Sequence, residues 1–170
     1  SWTDRRIYDI SHHDLDVAIQ GTKIIGKDTL TLTTKDPDLR FFPFDLFNGL
    51  RVKNVLDENG QELSFIQEKK DEDADFGVIF PKPNEPNKPF KITVEYEGEG
   101  ALISLGSGNF FLRHRSTWYP NNPFAAFADR ATFNLTLSYP KNYTMVGIGE
   151  KVGEDKEEGS LKISKWTTKD

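Results

Sequence analysis

Three histidines, His12, His13 and His114, are the only imidazoles in the chain, and they limit the acid–base and metal chemistry it can perform. His12 and His13 are adjacent in a stretch patterned as a strand. Neighbouring side chains on a strand leave opposite faces, so these two cannot hold one ion together. His114 lies between Arg113 and Arg115, a repulsive setting for a cation. No H-E-x-x-H occurs, and the sequence has no cysteine, so thiolate metal sites and disulfides are both excluded. A metal site built by these residues alone is therefore not expected. Nor is serine chemistry marked: there is no G-x-S-x-G, and Ser104 and Ser107 sit in a glycine-bearing stretch, EGEGALISLGSG, which is read as a flexible connector. That stretch also lacks the G-x-x-x-x-G-K-[ST] of a phosphate loop. Carboxylates are abundant, 27 in all, but no pair stands apart from the surface background in the way glycoside hydrolysis would need.

One cluster does have a functional look. Arg113, His114 and Arg115 lie beside Trp118 and Tyr119, and arginines with aromatics are enriched at protein interfaces. The bland alternative is a strand edge with its arginines in solvent and its tryptophan in the core. Asn134-Leu135-Thr136 and Asn142-Tyr143-Thr144 match the N-glycosylation pattern, which matters only in a eukaryotic secretory setting. The net charge of −5 and pI near 5.3 argue against a nucleic-acid partner, because neutralising phosphates requires a basic face. No apolar run approaches the roughly 18 residues of a membrane span, and no leader pattern opens the chain.

The elements that must position these residues read as strands throughout. From Arg130 to Tyr139, Phe133, Leu135, Leu137 and Tyr139 alternate with Thr132, Asn134, Thr136 and Ser138, the period of a half-buried strand. Tyr8 to Gln20 alternates likewise, with His13, Leu15, Val17 and Ile19 on one face, and Gly21 supplies a hairpin turn into Lys23 to Thr34. Leu39 to Phe47 is apolar but broken by Pro43, which places it at an edge or bulge. Leu50 to Leu56 and Gln61 to Glu68 flank an Asn59-Gly60 turn as a hairpin. Lys69 to Asp75 is a charged loop, Phe76 to Phe80 a short strand, and Pro81 to Pro89 a stiff loop holding four of the nine prolines. Phe90 to Glu97 alternates cleanly. Tyr143 to Gly149 is expected to pair back after a turn at Pro140, and the last strand begins at Leu161 with a bulge before Trp166. Helical periodicity is absent. With 36% hydrophobic residues, 13 of them Phe, one domain spanning residues 1–170 can bury a core. The expected fold is all-β: a mostly antiparallel bent sheet or β-sandwich of roughly ten short strands.

Several stretches, in order, resemble the N-terminal domain of the membrane alanyl aminopeptidase family, zinc peptidases of the gluzincin type. They are Tyr8 to Val17, Gly26 to Leu32, Leu50 to Leu56 with its hairpin, and Phe90 to Gly98 ending Val94-Glu95-Tyr96-Glu97-Gly98. Trp118-Tyr119-Pro120 followed by Arg130-Ala131-Thr132-Phe133-Asn134-Leu135 completes the series. The resemblance covers nearly the whole chain. Two features depart from it. The family's glutamine-bearing segment before the Phe-Pro, which anchors a substrate amine, is replaced by Phe111 to Thr117 without glutamine. The Cys-x-Asp-x-Pro that follows is replaced by Asn121-Asn122-Pro123-Phe124. No amine anchor is carried over to any residue here.

The resemblance implies a saddle-like, non-catalytic β domain that walls one side of a peptide cleft. The family's G-x-M-E-N and H-E-x-x-H motifs lie in the domain that follows, so zinc and hydrolysis belong to the parent and not to these residues. The implied partners are a downstream catalytic domain of the same polypeptide and, through it, a peptide substrate. Arg113, Arg115, Trp118 and Tyr119 are the residues expected nearest the cleft. An exported or periplasmic parent is the expectation for location, with a cytoplasmic one as the alternative. Two other readings stand beside this one: a free-standing carbohydrate-binding or adhesion β-sandwich, which would show exposed aromatics in a flat row, and a small hydrolase in its own right.

Overall fold

The computed structural model describes residues 8–69, 75–112, 118–123, 131–146 and 149–168. Among them are fourteen strands: β1 (Tyr8–Gln20), β2 (Lys23–Thr34), β3 (Phe41–Phe44), β4 (Leu50–Asp57), β5 (Ser64–Gln67), β6 (Phe76–Ile79), β7 (Phe90–Glu99), β8 (Leu102–Gly106), β9 (Asn109–Leu112), β10 (Thr132–Pro140), β11 (Thr144–Val146), β12 (Glu150–Lys151), β13 (Lys156–Glu158) and β14 (Leu161–Thr167). The all-β expectation holds, with more and shorter strands than the ten anticipated. A large sheet runs β12-β14-β10-β1-β2-β7-β4, with β13 added against β14, and two three-stranded sheets run β3-β6-β5 and β11-β9-β8. Pairing is antiparallel except where β10 joins β1 and β11 joins β9 in parallel.

Alternation sets the large sheet. Val17, Leu30, Ile92, Val94 and Leu137 are fully buried on its inner face, each contributing roughly 1.5–3 kcal/mol by leaving water. Its outer face carries Asp9, Ser11, Asp14, Asp16, Lys91 and other polar side chains. The β3-β6-β5 sheet covers one end of the inner face. There Phe42 packs on Tyr8 and Phe90, with ring centroids 5.3 and 5.6 Å apart, and Phe44 stacks on Phe76. Tyr8 Oη donates to Pro43 O. The β11-β9-β8 sheet lies toward the β1–β2 turn, where Tyr143 Oη donates to Gly21 O at 3.1 Å and the Tyr143 ring stacks on Phe110 at 4.2 Å.

Several local expectations are corrected. The 97–108 stretch is no connector: β7 runs to Glu99, and β8 pairs with β9 around Gly106, Ser107 and Gly108, all with positive φ. Alternation is weak there because Ile103 and Phe111 sit half-buried on the second face of a small sheet. The 57–61 turn forms as read, closed by Asp57 N–H to Gln61 O and Leu63 N–H to Val55 O. Beyond Leu63 the chain leaves the hairpin, and β5 pairs with β6 instead of β4. Gln67 still reaches back: its amide accepts from Val52 N–H at 2.9 Å and donates to Leu50 O at 3.1 Å, standing in for a strand partner at the edge of β4. Residues 144–146 pair with β9 rather than folding back on β10. β14 pairs with β10 in unbroken register from Leu161 to Thr167, and its inward position is taken by the small polar Ser164, so no bulge is needed. Pro43 does lie on an edge strand, as a proline must in a paired sheet.

Candidate functional site

Trp118 to Pro123 is the described part of the cluster singled out in the sequence; Arg113 and Arg115 lie outside the described residues. The segment crosses from β1, at His13 and Tyr8, to Asp45 just after β3, and is held at several points. Trp118 is 3% exposed and meets the Tyr119 ring edge-on at 4.8 Å. Tyr119 in turn meets the His13 ring at 5.1 Å, near the middle of β1. Asn121 forms a two-bond bridge with Asp45, at 2.8 and 3.1 Å, and the buried Asn122 side chain donates to Tyr8 O at 2.7 Å. Trp118 therefore supports the segment from beneath, matching the core-tryptophan alternative, while Tyr119 is half-buried.

The two adjacent histidines do part to opposite faces. His12 stays on the outer face, its Nδ1 2.6 Å from Thr132 Oγ1 and its Nε2 3.3 Å from Asp14 Oδ1. His13 turns inward, and its Nδ1–H donates to Asp28 Oδ2 at 2.7 Å. This pair is 3% and 0% exposed. Asp28 Oδ1 and the hydroxyl of Tyr96 are buried with no hydrogen-bond partner among the described residues. Burial raises the Asp28 carboxyl above its ordinary 3.8, more than the His13 charge and hydrogen bond lower it. Burial, then the Asp28 charge, raises the Tyr96 hydroxyl well above 10.0.

Register explains the arrangement. Leu15, Asp28 and Val94 lie opposite one another across β1, β2 and β7, with His13 and Tyr96 on the diagonals either side. Opposite Tyr96 sits Gly26, and a Cβ there would lie 2.3 Å from Tyr96 Cζ, so the ring spreads over the glycine. Asp28 was not singled out from the sequence. Its signal was present: a carboxylate two residues before Leu30, on the parity of Leu30 and Leu32.

Among the described residues no group of three or more His, Asp or Glu is placed to hold a metal ion. Among the described residues no helix is long and apolar enough to cross a membrane. The arrangement can fix a cross-over segment and hold a proton between two buried groups; among the described residues no nucleophile is aligned with either.

No protein-family model matches the chain, and no curated protein does. Solved structures do. An M1 zinc metallopeptidase from Deinococcus radiodurans superposes with a TM-score of 0.70 at 22% identity, over 97% of this chain and 40% of its own. A variant of that enzyme bound to a Tyr-Ser-Ala substrate gives 0.70 over 95% and 39%. A two-domain M1 zinc metallopeptidase variant bound to L-tryptophan gives 0.71 over 96% and 40%. This chain therefore spans about two-fifths of the length of the structures whose fold it shares. The fold that the sequence resemblance implied is the fold these structures share.

Proposed function

We propose that this chain is the N-terminal β domain of a zinc aminopeptidase-like protein, a non-catalytic unit that packs on a downstream catalytic domain and walls its peptide cleft. The observation that carries this reading is the match of nearly the whole chain to only two-fifths of a zinc metallopeptidase. The distribution of exposed apolar side chains supports it. Phe41 (48% exposed) and Ile66 (61%) lie on the outward face of β3-β6-β5, and Leu105 (67%) lies on β8. Val152 (50%) and Leu161 (41%), at the β14 end of the large sheet, are the other exposed large hydrophobics among the described residues. Exposed apolar side chains of this kind are what a neighbouring domain can cover.

In the parent, zinc and its chemistry belong to the downstream domain. There we assign Arg113, Arg115, Trp118 and Tyr119 to the side nearest the cleft, where a polar wall would orient peptide and exclude water without supplying a nucleophile. The carbohydrate-binding alternative calls for a flat row of exposed aromatics. Among the described residues the markedly exposed large hydrophobics include one aromatic, Phe41, and no row.

The test is to read the coding frame past Asp170. G-x-M-E-N followed by H-E-x-x-H and a later glutamate is the expected result, with zinc content and peptide turnover then assayed on the longer protein. A stop codon within a few residues would overturn the reading. In the longer protein, Ile66→Ser is expected to loosen domain docking, seen as faster cleavage between domains by a protease. In the 170-residue chain the same substitution should change stability by less than about 0.5 kcal/mol, as exposed sites do.

A further inference from the structure

Among the polar groups buried on the inner face of the large sheet, which also include Tyr8, Thr34, Tyr139 and Ser164, three form a diagonal on successive strands, His13, Asp28 and Tyr96. Burying ionisable groups this deeply costs stability unless they are paired, and here one carboxylate oxygen and one hydroxyl are unpaired. Outside the sheets' strands, the crossing segment meets the pair through the ring contact of His13 with Tyr119. Asn121 and Asn122 fix the far end of that segment to Asp45 and Tyr8. At its near end the Tyr119 ring meets His13, and the Trp118 ring meets Tyr119.

We propose that His13 and Asp28 form a positioning dyad that sets the seat of Tyr119, and with it Trp118 and Pro120, and that proton uptake by the dyad shifts that seat. With one proton, on Nδ1, His13 is neutral and donates to the Asp28 carboxylate. A second proton goes to Nε2, the ring nitrogen that Asp28 does not engage. The imidazole against Tyr119 then becomes a cation, whose attraction to an aromatic ring differs from that of the neutral ring. The two groups titrate jointly, so the midpoint belongs to the pair. The other titratable groups around it are few among the described residues. Tyr96 faces Asp28 from β7, and Tyr119 faces His13 from the crossing segment. His12 and Asp14 flank His13 on its own strand but point to the opposite face. On β10, Phe133 and Leu135 lie opposite His13 and Leu15 and carry no charge. The consequence for a peptide cleft rests on the function proposed above; the dyad itself does not.

Nuclear magnetic resonance on the 170-residue chain tests it, following the His13 ring, the Tyr119 ring and the Trp118 indole from about pH 8 to about pH 5, the range in which histidine titrates. The expected result is one curve: Trp118 and Tyr119 move with the midpoint of His13, while the Trp166 indole does not follow. Asp28→Asn, which keeps a hydrogen-bond acceptor but removes the charge, should displace the midpoint of all three signals together. The proposal is overturned if His13 does not titrate in the folded chain, if it titrates while Trp118 and Tyr119 stay still, or if Asp28→Asn leaves the midpoint in place. Should Asp28→Asn fail to fold, the wild-type curves decide alone. A parent gene lacking H-E-x-x-H would remove the cleft and leave this titration untouched.

Discussion

Replacing Tyr96 by Phe should stabilise the protein, and replacing Tyr8 by Phe should destabilise it, although both rings are 1% exposed and the atom removed is the same. Tyr96 Oη is buried with no hydrogen-bond partner among the described residues, so the folded state bears the full cost of removing that hydroxyl from water, about 1–3 kcal/mol. Phe keeps the ring that covers Gly26 and releases the cost; a gain of about 1–2 kcal/mol is expected. Tyr8 Oη donates to Pro43 O, and Phe there leaves a carbonyl unmatched, costing about 1–2 kcal/mol. For a chain of this size each kcal/mol moves the melting temperature by about 2–4 °C. The two variants should therefore melt on opposite sides of the wild type. Urea unfolding followed by circular dichroism gives the free energies directly, and an unchanged slope would show that only stability has moved. If Tyr96→Phe loses more than about 0.5 kcal/mol, that hydroxyl has a partner, and the accounting for the diagonal of buried groups is wrong.

Gly26→Ala should cost about 1–3 kcal/mol by overpacking, because its Cβ would meet a fully buried Tyr96 ring; thermal unfolding checks it, and an unchanged melting temperature would mean the ring has room to move. Gln67→Leu should cost about 1–3 kcal/mol in urea unfolding by leaving Val52 N–H and Leu50 O without their side-chain partner. Glu97 is bonded by Lys23 and Lys53, which hold its carboxyl below the ordinary 4.5. Its contribution to stability is thus present above pH 4.5 and is lost as pH falls through the lowered value. Glu97→Gln should remove that part of the pH dependence, and salt should shrink it in the wild type, because the groups are exposed.

What was legible in the sequence was whatever alternation alone decides. The inward faces of β1, β2, β7 and β10 follow from a period of two, and the parting of His12 and His13 follows from the same rule. Less legible was where a strand goes once its turn is complete. The Asn59-Gly60 turn was visible, but the departure of residues 64–67 to a second sheet depends on Phe65 and Phe76 finding a separate apolar layer. The exit of 144–146 toward β9 depends likewise on the Tyr143–Phe110 stack. Both are long-range choices that no local pattern encodes. Asp28 was hidden for a related reason: its partner, though only fifteen residues away in sequence, is specified by the diagonal of an established register, not by spacing. Trp118 and Tyr119 were visible as aromatics in a promising place. That one lies beneath the segment and the other against a buried histidine needed the fold.

The parallel join between β1 and β10 has a further implication for how the chain is made. It pairs residues 12–18 with 132–138, so closing it brings together segments separated by most of the polypeptide, at an entropic cost that local hairpins do not bear. During synthesis β1, β2, β7 and β4 can zip as an antiparallel group while the other edge of β1 waits. Until the ribosome has released β10, that edge is open to any other strand. Its exposed side chains in the interval include Asp9, Asp14 and Asp16, three like charges spaced along one border. A nascent molecule so marked repels its own copies at the edge where they would otherwise join.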